Sequence, residues 1–306
     1  LASTWIGIGN AIIGSLLAWV VLGRRTKVMT QHLNSKTMPD FFGERYGSKA
    51  LKITASAIVF IFLVPYTASV YNGLSRLFGM AFNIPYKYCV IGMAVFTGIY
   101  VILGGYMATA INDFIQGIIM LGGIVAVILA VLNGQGGFIQ AVKTMAEIPS
   151  DVPVTMGQPG AFTSFFGPDP LNLLGVVILT SLGTWGLPQM VGKFYAIKDE
   201  KSINTGTVIS TLFAIVISGG CYFLGGFGRL FDAAELHDEA GNMIFDGIIP
   251  HMLSTLPDIL IGIVVVLVLS ASMSTLASLV LTSSSTLTLD FLKDNVMKDM
   301  SEKKQV

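Results

Sequence analysis

Long apolar stretches alternate along this chain with short polar, basic or glycine-rich ones. Seven apolar stretches are about 20 residues or longer: residues 3–23, 51–79, 86–104, 109–132, 171–190, 203–228 and 257–287. About 20 apolar residues in helical form cross the hydrocarbon core of a bilayer. Only a helix or a closed barrel satisfies every backbone group there, so each stretch is predicted to be a transmembrane helix. The punctuation agrees. Asn133-Gly-Gln-Gly-Gly137 closes the fourth helix, and Pro153, Pro159, Pro168 and Pro170 mark a long loop before the fifth. Within that loop Phe138–Met145 reads as a short interfacial helix. The polar, acidic stretch Leu230–Asp246 reads as a loop outside the membrane. The pattern predicts an all-α integral membrane protein with residues 1–306 as one transmembrane domain.

Composition sharpens this picture. Hydrophobic residues make up 53% of the chain and charged ones 12%, about half the charged share of a soluble domain. The net charge is zero, which gives nucleic acid nothing to bind. Cys89 and Cys221 sit in or beside apolar runs, so neither a disulfide framework nor a metal site is expected. His32, His237 and His251 lie in or near loops, none with a ligand partner at helical spacing. No glycine-rich phosphate loop or catalytic triad occurs, so neither an enzyme nor an ATP-driven pump is indicated. The chain opens at Leu1 inside an apolar run, with no initiator Met and no basic leader, and reads as a piece of a longer protein.

Lys and Arg set the orientation. Fourteen of the eighteen fall on one side: Arg24, Arg25, Lys27, Lys36, Arg45, Lys49, Lys52, Lys193, Lys198, Lys201, Lys293, Lys298, Lys303 and Lys304. The other side holds Arg76, Lys87, Lys143 and Arg229. The first side is therefore expected to be cytoplasmic, the first helix to run inward, and the tail after Asp290 to lie in the cytoplasm of a plasma-membrane protein. Arg76 and the acidic loop after Arg229 read as outer surface.

Three segments carry candidate chemistry. In the seventh helix Ala271, Ser274, Thr275 and Ser278 fall at i, i+3, i+4 and i+7 and so share one face. Hydroxyls on one stripe of a membrane helix offer hard oxygen ligands to a desolvated cation such as sodium. They equally suit close helix packing or bonds back to their own carbonyls. Asp113 lies early in the fourth helix, with no basic residue between Lys87 and Lys143. It is either a functional intramembrane carboxylate or a solvated helix cap. In the fifth helix Gly183, Gly186 and Pro188 weaken the backbone within about one turn. Broken membrane helices are tolerated where they line protein or a water-filled cavity. Thr180, Thr184 and Pro188 share a face beside Trp185, which makes these four the candidate solute-binding residues; a simple proline kink explains them as well.

Thr37-Met-Pro-Asp-Phe-Phe-Gly-Glu-Arg-Tyr-Gly47, Gly104-Gly-Tyr with Asn112-Asp-Phe-Ile-Gln116, and Ala271-Ser-Met-Ser-Thr-Leu-Ala-Ser278 with Ser283-Ser-Ser-Thr-Leu-Thr-Leu-Asp-Phe291 resemble three ordered segments of the sodium:solute symporter family. The resemblance covers nearly the whole chain, and proline-type members look most similar. It implies a LeuT-type fold of two inverted five-helix repeats, of which this chain supplies core helices two to eight. Core helix one would lie before Leu1, and core helices nine and ten after Val306. It implies a main sodium site using the Ala271 carbonyl and the Ser274 and Thr275 hydroxyls, completed by core helix one. This piece alone would then not transport.

Some members hold a second sodium, for which Asp113, Ser274 and Ser278 match ligands. Ala277 stands where those members have a hydroxyl, so Asp113 could instead guide ion exit. The family's proline-binding pattern is not reproduced: Thr180 and Thr184 occupy its aromatic positions, and Gly186-Leu-Pro188 replaces its Gly-Gln-Pro turn. The function implied is sodium-coupled uptake of a small organic solute such as proline, with sodium as coupling ion and no organic cofactor. The alternatives are a proton-coupled symporter and a solute-sensing membrane domain of a signalling protein.

Overall fold

The computed structural model describes residues 1–237, 241 and 243–293, apart from the side chains of residues 104–109 and 293. Six helices among the described residues are long and apolar enough to cross a membrane: α1 (Thr4–Leu33), α3 (Lys49–Phe82), α4 (Tyr86–Leu103), α5 (Ala110–Gly134), α9 (Glu200–Gly225) and α11 (Asp258–Leu292). A further pair of apolar helices is long enough together to make a seventh crossing, but it is bent. α7 (Pro170–Gly186) and α8 (Pro188–Ala196) meet at 48°. Shorter helices α2 (Met38–Tyr46), α6 (Phe138–Glu147) and α10 (Phe245–Ser254) lie between crossings.

Local chemistry explains the boundaries. Pro188 disfavours helical geometry in the residue before it, and Leu187 is extended at φ −69° and ψ 120°. The fifth apolar stretch, expected as one helix over 171–190, is therefore two. The first helix was expected to end near residue 23, yet helical backbone continues through Arg24–Leu33 until Asn34 turns left-handed at φ 51°. Asn83 ends α3 the same way, since asparagine tolerates that conformation. The segment from Thr37 to Gly47, between the first two apolar stretches, is a capped helix. Thr37 Oγ1 accepts the Asp40 N–H at 3.2 Å, and Gly47 closes the helix at φ +58°. The interfacial helix expected at Phe138–Met145 extends to Glu147. The expected outer loop ends two residues early, because α10 begins at Phe245; residues 238–240 and 242 of that loop lie outside the described residues.

Helical backbone continues between α4 and α5, but the two are not collinear. Asn112 Nδ2 donates to the Tyr100 hydroxyl at 2.7 Å. Twelve residues of straight helix would separate them by about 18 Å. The chain therefore folds back on itself between these spans.

α11 is the central element. Val264 and Val265 pack with Leu77 of α3, Val127 and Val131 of α5, Leu224 of α9 and Met252 of α10. Farther along, Leu276 meets Leu74 and Met93, and Leu279 meets Val59 and Leu63. Large apolar side chains elsewhere face outward, among them Leu103, Leu171 and Leu179, as a lipid-facing surface requires.

α1 and α9 touch through small residues. A Cβ on Gly7 would fall 2.6 Å from Gly219 Cα, a contact with backbone that no rotamer relieves. Gly7→Ala is expected to cost about 1–3 kcal/mol, read as a lower thermal midpoint in detergent. Gly262→Ala, which meets nothing within 4 Å, should leave that midpoint in place or raise it.

Candidate functional site

The α11 stripe and Asp113 of α5 come together. The Ser274 side chain lies close to the Asp113 carboxylate. Asp113 Oδ1 is nevertheless buried without a hydrogen-bond partner. Thr275 Oγ1 donates its proton to the Ala271 carbonyl at 3.0 Å. That back-bond occupies the hydroxyl hydrogen and leaves the oxygen lone pairs able to accept or ligate. Ala277, where the resemblance leads one to expect a hydroxyl, is fully buried.

Below this stripe a cavity of about 220 Å³ opens between helices. Asp113, Ser278, Pro188, Gln189, Tyr195 and Thr286 line it. Gln189 is buried and its Oε1 has no partner; so is Gln116, one turn beyond Asp113 on α5. Buried acceptor oxygens without donors are costly. A donor or a cation would relieve that cost, and Lys36 and Lys193 also line the cavity. The two glutamines were not singled out from sequence. Their amides are polar but uncharged, and only burial reveals them.

The mouth of this cavity carries an ion-pair cluster. Thr37 Oγ1, besides capping α2, donates to the Asp290 carboxylate, lying 2.8 and 2.7 Å from its two oxygens. Lys52 Nζ lies 2.7 Å from Asp40 and 3.7 Å from Asp290. Asp290 is 2% exposed. The Thr37–Gly47 and Ser283–Phe291 segments, far apart in sequence, are thus one contact. Gly43 has a specific task here: a Cβ on it would sit 2.9 Å from Lys52 Cβ, so glycine lets the lysine stem cross α2.

The broken span divides its candidate residues. Pro188 lines the cavity shared with Asp113. Thr184 and Trp185 instead face α1, whose backbone from Asn10 to Leu17 takes wide π-type turns. Trp185 Nε1 donates to the Ile13 carbonyl at 2.8 Å, and Thr184 Oγ1 lies 2.8 Å from the Ser181 carbonyl and 3.3 Å from that of Gly14. Thr180 Oγ1 donates to the Val176 carbonyl of its own helix at 2.8 Å. The side chains of the Gly104–Thr109 part of the second motif lie outside the described residues.

The sequence model of the sodium:solute symporter family matches residues 1–306. The chain belongs to that family. Among relatives, a sodium/proline symporter of Staphylococcus aureus is 31% identical over 304 residues, covering 96% of this chain and 55% of the relative. The osmoregulated proline transporter OpuE of Bacillus subtilis is 28% identical over 313 residues, covering 100% and 60%. A sodium/pantothenate symporter of Haemophilus influenzae is 29% identical over 280 residues, covering 91% and 54%. The chain thus spans little more than half the length of these relatives. The solved substrate-bound, outward-open Na+-coupled sialic acid symporter superimposes with a TM-score of 0.70 at 13% identity, over 99% of this chain and 69% of that one. The fold is accordingly a partial LeuT-type transporter fold, and the chain is a multi-pass membrane protein.

Proposed function

We propose that this chain forms most of the core of a secondary active symporter that couples inward sodium flow to uptake of a small organic solute. The observation that carries this reading is the meeting of Asp113 and Ser274 across α5 and α11, with Asp113 Oδ1 buried and unpartnered beside a cavity that Ser278 also lines. The Ala271 carbonyl, Ser274 and Thr275 form one half of the main sodium site. Asp113 and Ser278 hold a second ion or guide its exit toward the cavity. The relatives named for sodium and for proline or pantothenate support sodium coupling and an organic solute, with an amino acid such as proline favoured. Thr180, Thr184 and Trp185 lie on the solute side, toward α1, and Pro188 turns the chain from there to the cavity beside Asp113. Residues 1–306 act as one transmembrane domain with no catalytic role.

The end of the bundle that carries Arg24, Lys27, Lys52 and Lys193 faces the cytoplasm, as the distribution of Lys and Arg requires, and the tail after Asp290 continues there. Each sodium entering through 100 mV supplies about 2.3 kcal/mol. Sodium completes the solute site, so the two ligands bind with positive coupling.

The test is uptake of labelled proline, pantothenate and sialic acid into proteoliposomes of the protein expressed from its full reading frame. Uptake should require an inward sodium gradient. Equal uptake with potassium would sink sodium coupling. Asp113→Asn separates ion from proton chemistry. It is expected to raise half-saturating sodium about tenfold, the loss of about 1.4 kcal/mol from one charged ligand. Uptake driven by a pH gradient alone, and abolished in this variant, would establish proton coupling instead.

A further inference from the structure

We propose that Lys27 is a positioning residue: its buried ammonium clamps the free end of α8 to α1 and so holds in place the helix that walls the cavity beside Asp113. The consequence for sodium rests on the symport reading above; the clamp itself does not.

Lys27 stands apart from its basic neighbours. The Arg24 side chain is 75% exposed and pairs with Glu200, as a solvated interfacial charge does. Lys27, one helical turn on, is 7% exposed. The gathering of basic residues on the cytoplasmic side explains a charge in water, not one withdrawn from it. Lys27 has no ion pair among the described residues. Its ammonium donates instead to the backbone carbonyl of Tyr195 at 2.9 Å.

The position of Tyr195 explains that choice. It lies in the last turn of α8. The last four carbonyls of a helix have no donor of their own, and the helix dipole places partial negative charge there. A buried ammonium satisfies such a carbonyl and is stabilised by that dipole in turn. The other end of α8 is a joint. Leu187 is extended, and α8 leaves α7 at 48°. A short helix jointed at one end takes its angle from whatever holds the other. Besides Lys27, α1 holds that end through Trp19, whose ring meets Phe194 edge-on at 5.0 Å. Packed rings tolerate small sliding movements; a charge-assisted hydrogen bond fixes one position.

The cavity lies on another face of α8. Pro188, Gln189, Gly192 and Tyr195 line it together with Asp113. Lys27 does not line it. The width of the cavity is therefore set from behind, by a residue that touches neither ion nor solute.

The experiment uses the protein from its full reading frame, with its own cysteines replaced by Ala and Ser285→Cys as reporter. Ser285 lines the same cavity from α11. Labelling by a water-soluble maleimide is timed in purified protein for the Lys27 parent, Lys27→Met, Lys27→Gln and Lys27→Arg, beside the thermal midpoint of each. Loss of one charge-assisted hydrogen bond shifts an opening equilibrium by about tenfold. Labelling should accordingly be about tenfold faster in Lys27→Met, which keeps the apolar stem. It should be intermediate in Lys27→Gln, which keeps a neutral donor, and near the parent rate in Lys27→Arg. In proteoliposomes, half-saturating sodium for uptake should rise in the same order. A lower thermal midpoint with an unchanged labelling rate would overturn the clamp and leave Lys27 an ordinary packing residue. If Lys27→Met does not fold, Lys27→Gln decides by the same reading. If the parent shows no sodium-driven uptake, the symport reading fails, and labelling alone still keeps or overturns the clamp.

Discussion

Lys52→Ala is expected to destabilise the protein by about 3–5 kcal/mol. Lys52 is the cation between Asp40 at 2.7 Å and Asp290 at 3.7 Å. Its side chain is 15% exposed and that of Asp290 only 2%, so water cannot easily replace it. Removing one partner of a buried charge cluster leaves carboxylates in low dielectric, and this costs more than the cluster contributes over apolar residues of the same shape. The measurement is thermal unfolding in detergent, where the midpoint should fall by roughly 5–10 °C. Lys52→Met keeps the stem that crosses Gly43 and separates charge from packing. It should lose nearly as much, and a Met variant as stable as the parent would show that packing alone matters. Thr37→Ala should cost about 1–2 kcal/mol, because one hydroxyl both caps α2 and bonds Asp290. The cluster joins the α1–α2 connection to the end of α11 at the cavity mouth. Its loss should therefore also raise leak of sodium through liposomes in the absence of solute.

The Ser274→Ala, Thr275→Ala double variant is expected to raise the sodium needed for half-maximal uptake by about a hundredfold, or about 2.7 kcal/mol. On the proposed assignment each hydroxyl is a ligand that a desolvated ion cannot replace from lipid. The single variants should each cost about tenfold. Ser274→Ala should show a second effect, because it also removes a hydroxyl from beside Asp113. Thr275→Ala frees the Ala271 carbonyl from its back-bond, so part of its loss is offset. Unaltered sodium dependence in the double variant would refute the assignment. Ala277→Ser tests whether a hydroxyl matters at that position. If Asp113 only guides exit, the added hydroxyl should leave sodium dependence unchanged. If a second ion binds, it should lower the half-saturating sodium concentration.

The legible part of the fold was the part governed by local chemistry. Uninterrupted apolar length is enough to mark a bilayer crossing, and every crossing appears within a few residues of its expected place, apart from two ends. Pro188 could be seen to weaken the fifth span, but only its geometry shows a 48° break rather than a kink. The Thr37–Gly47 helix was not anticipated because the segment is short and polar. Its capping threonine and left-handed glycine were visible, and were outweighed by the search for apolar periodicity. Lys27 read as one more basic residue of the cytoplasmic side, since a lysine among other charges gives no sign of its burial.

Along the sequence alone stand the membrane class, the basic side, the hydroxyl stripe and the isolation of Asp113, because each is a property of neighbours within a few helical turns. Tertiary structure decided which stripe faces which carboxylate. Asp113 and Ser274 are 161 positions apart in number and adjacent in space; Thr37 and Asp290 are separated by 253. No local periodicity encodes such pairings. They follow from packing α11 against α3 and α5 around a shared apolar seam, which brings the oxygen-bearing faces together and excludes the lipid that would otherwise leave their oxygens without partners.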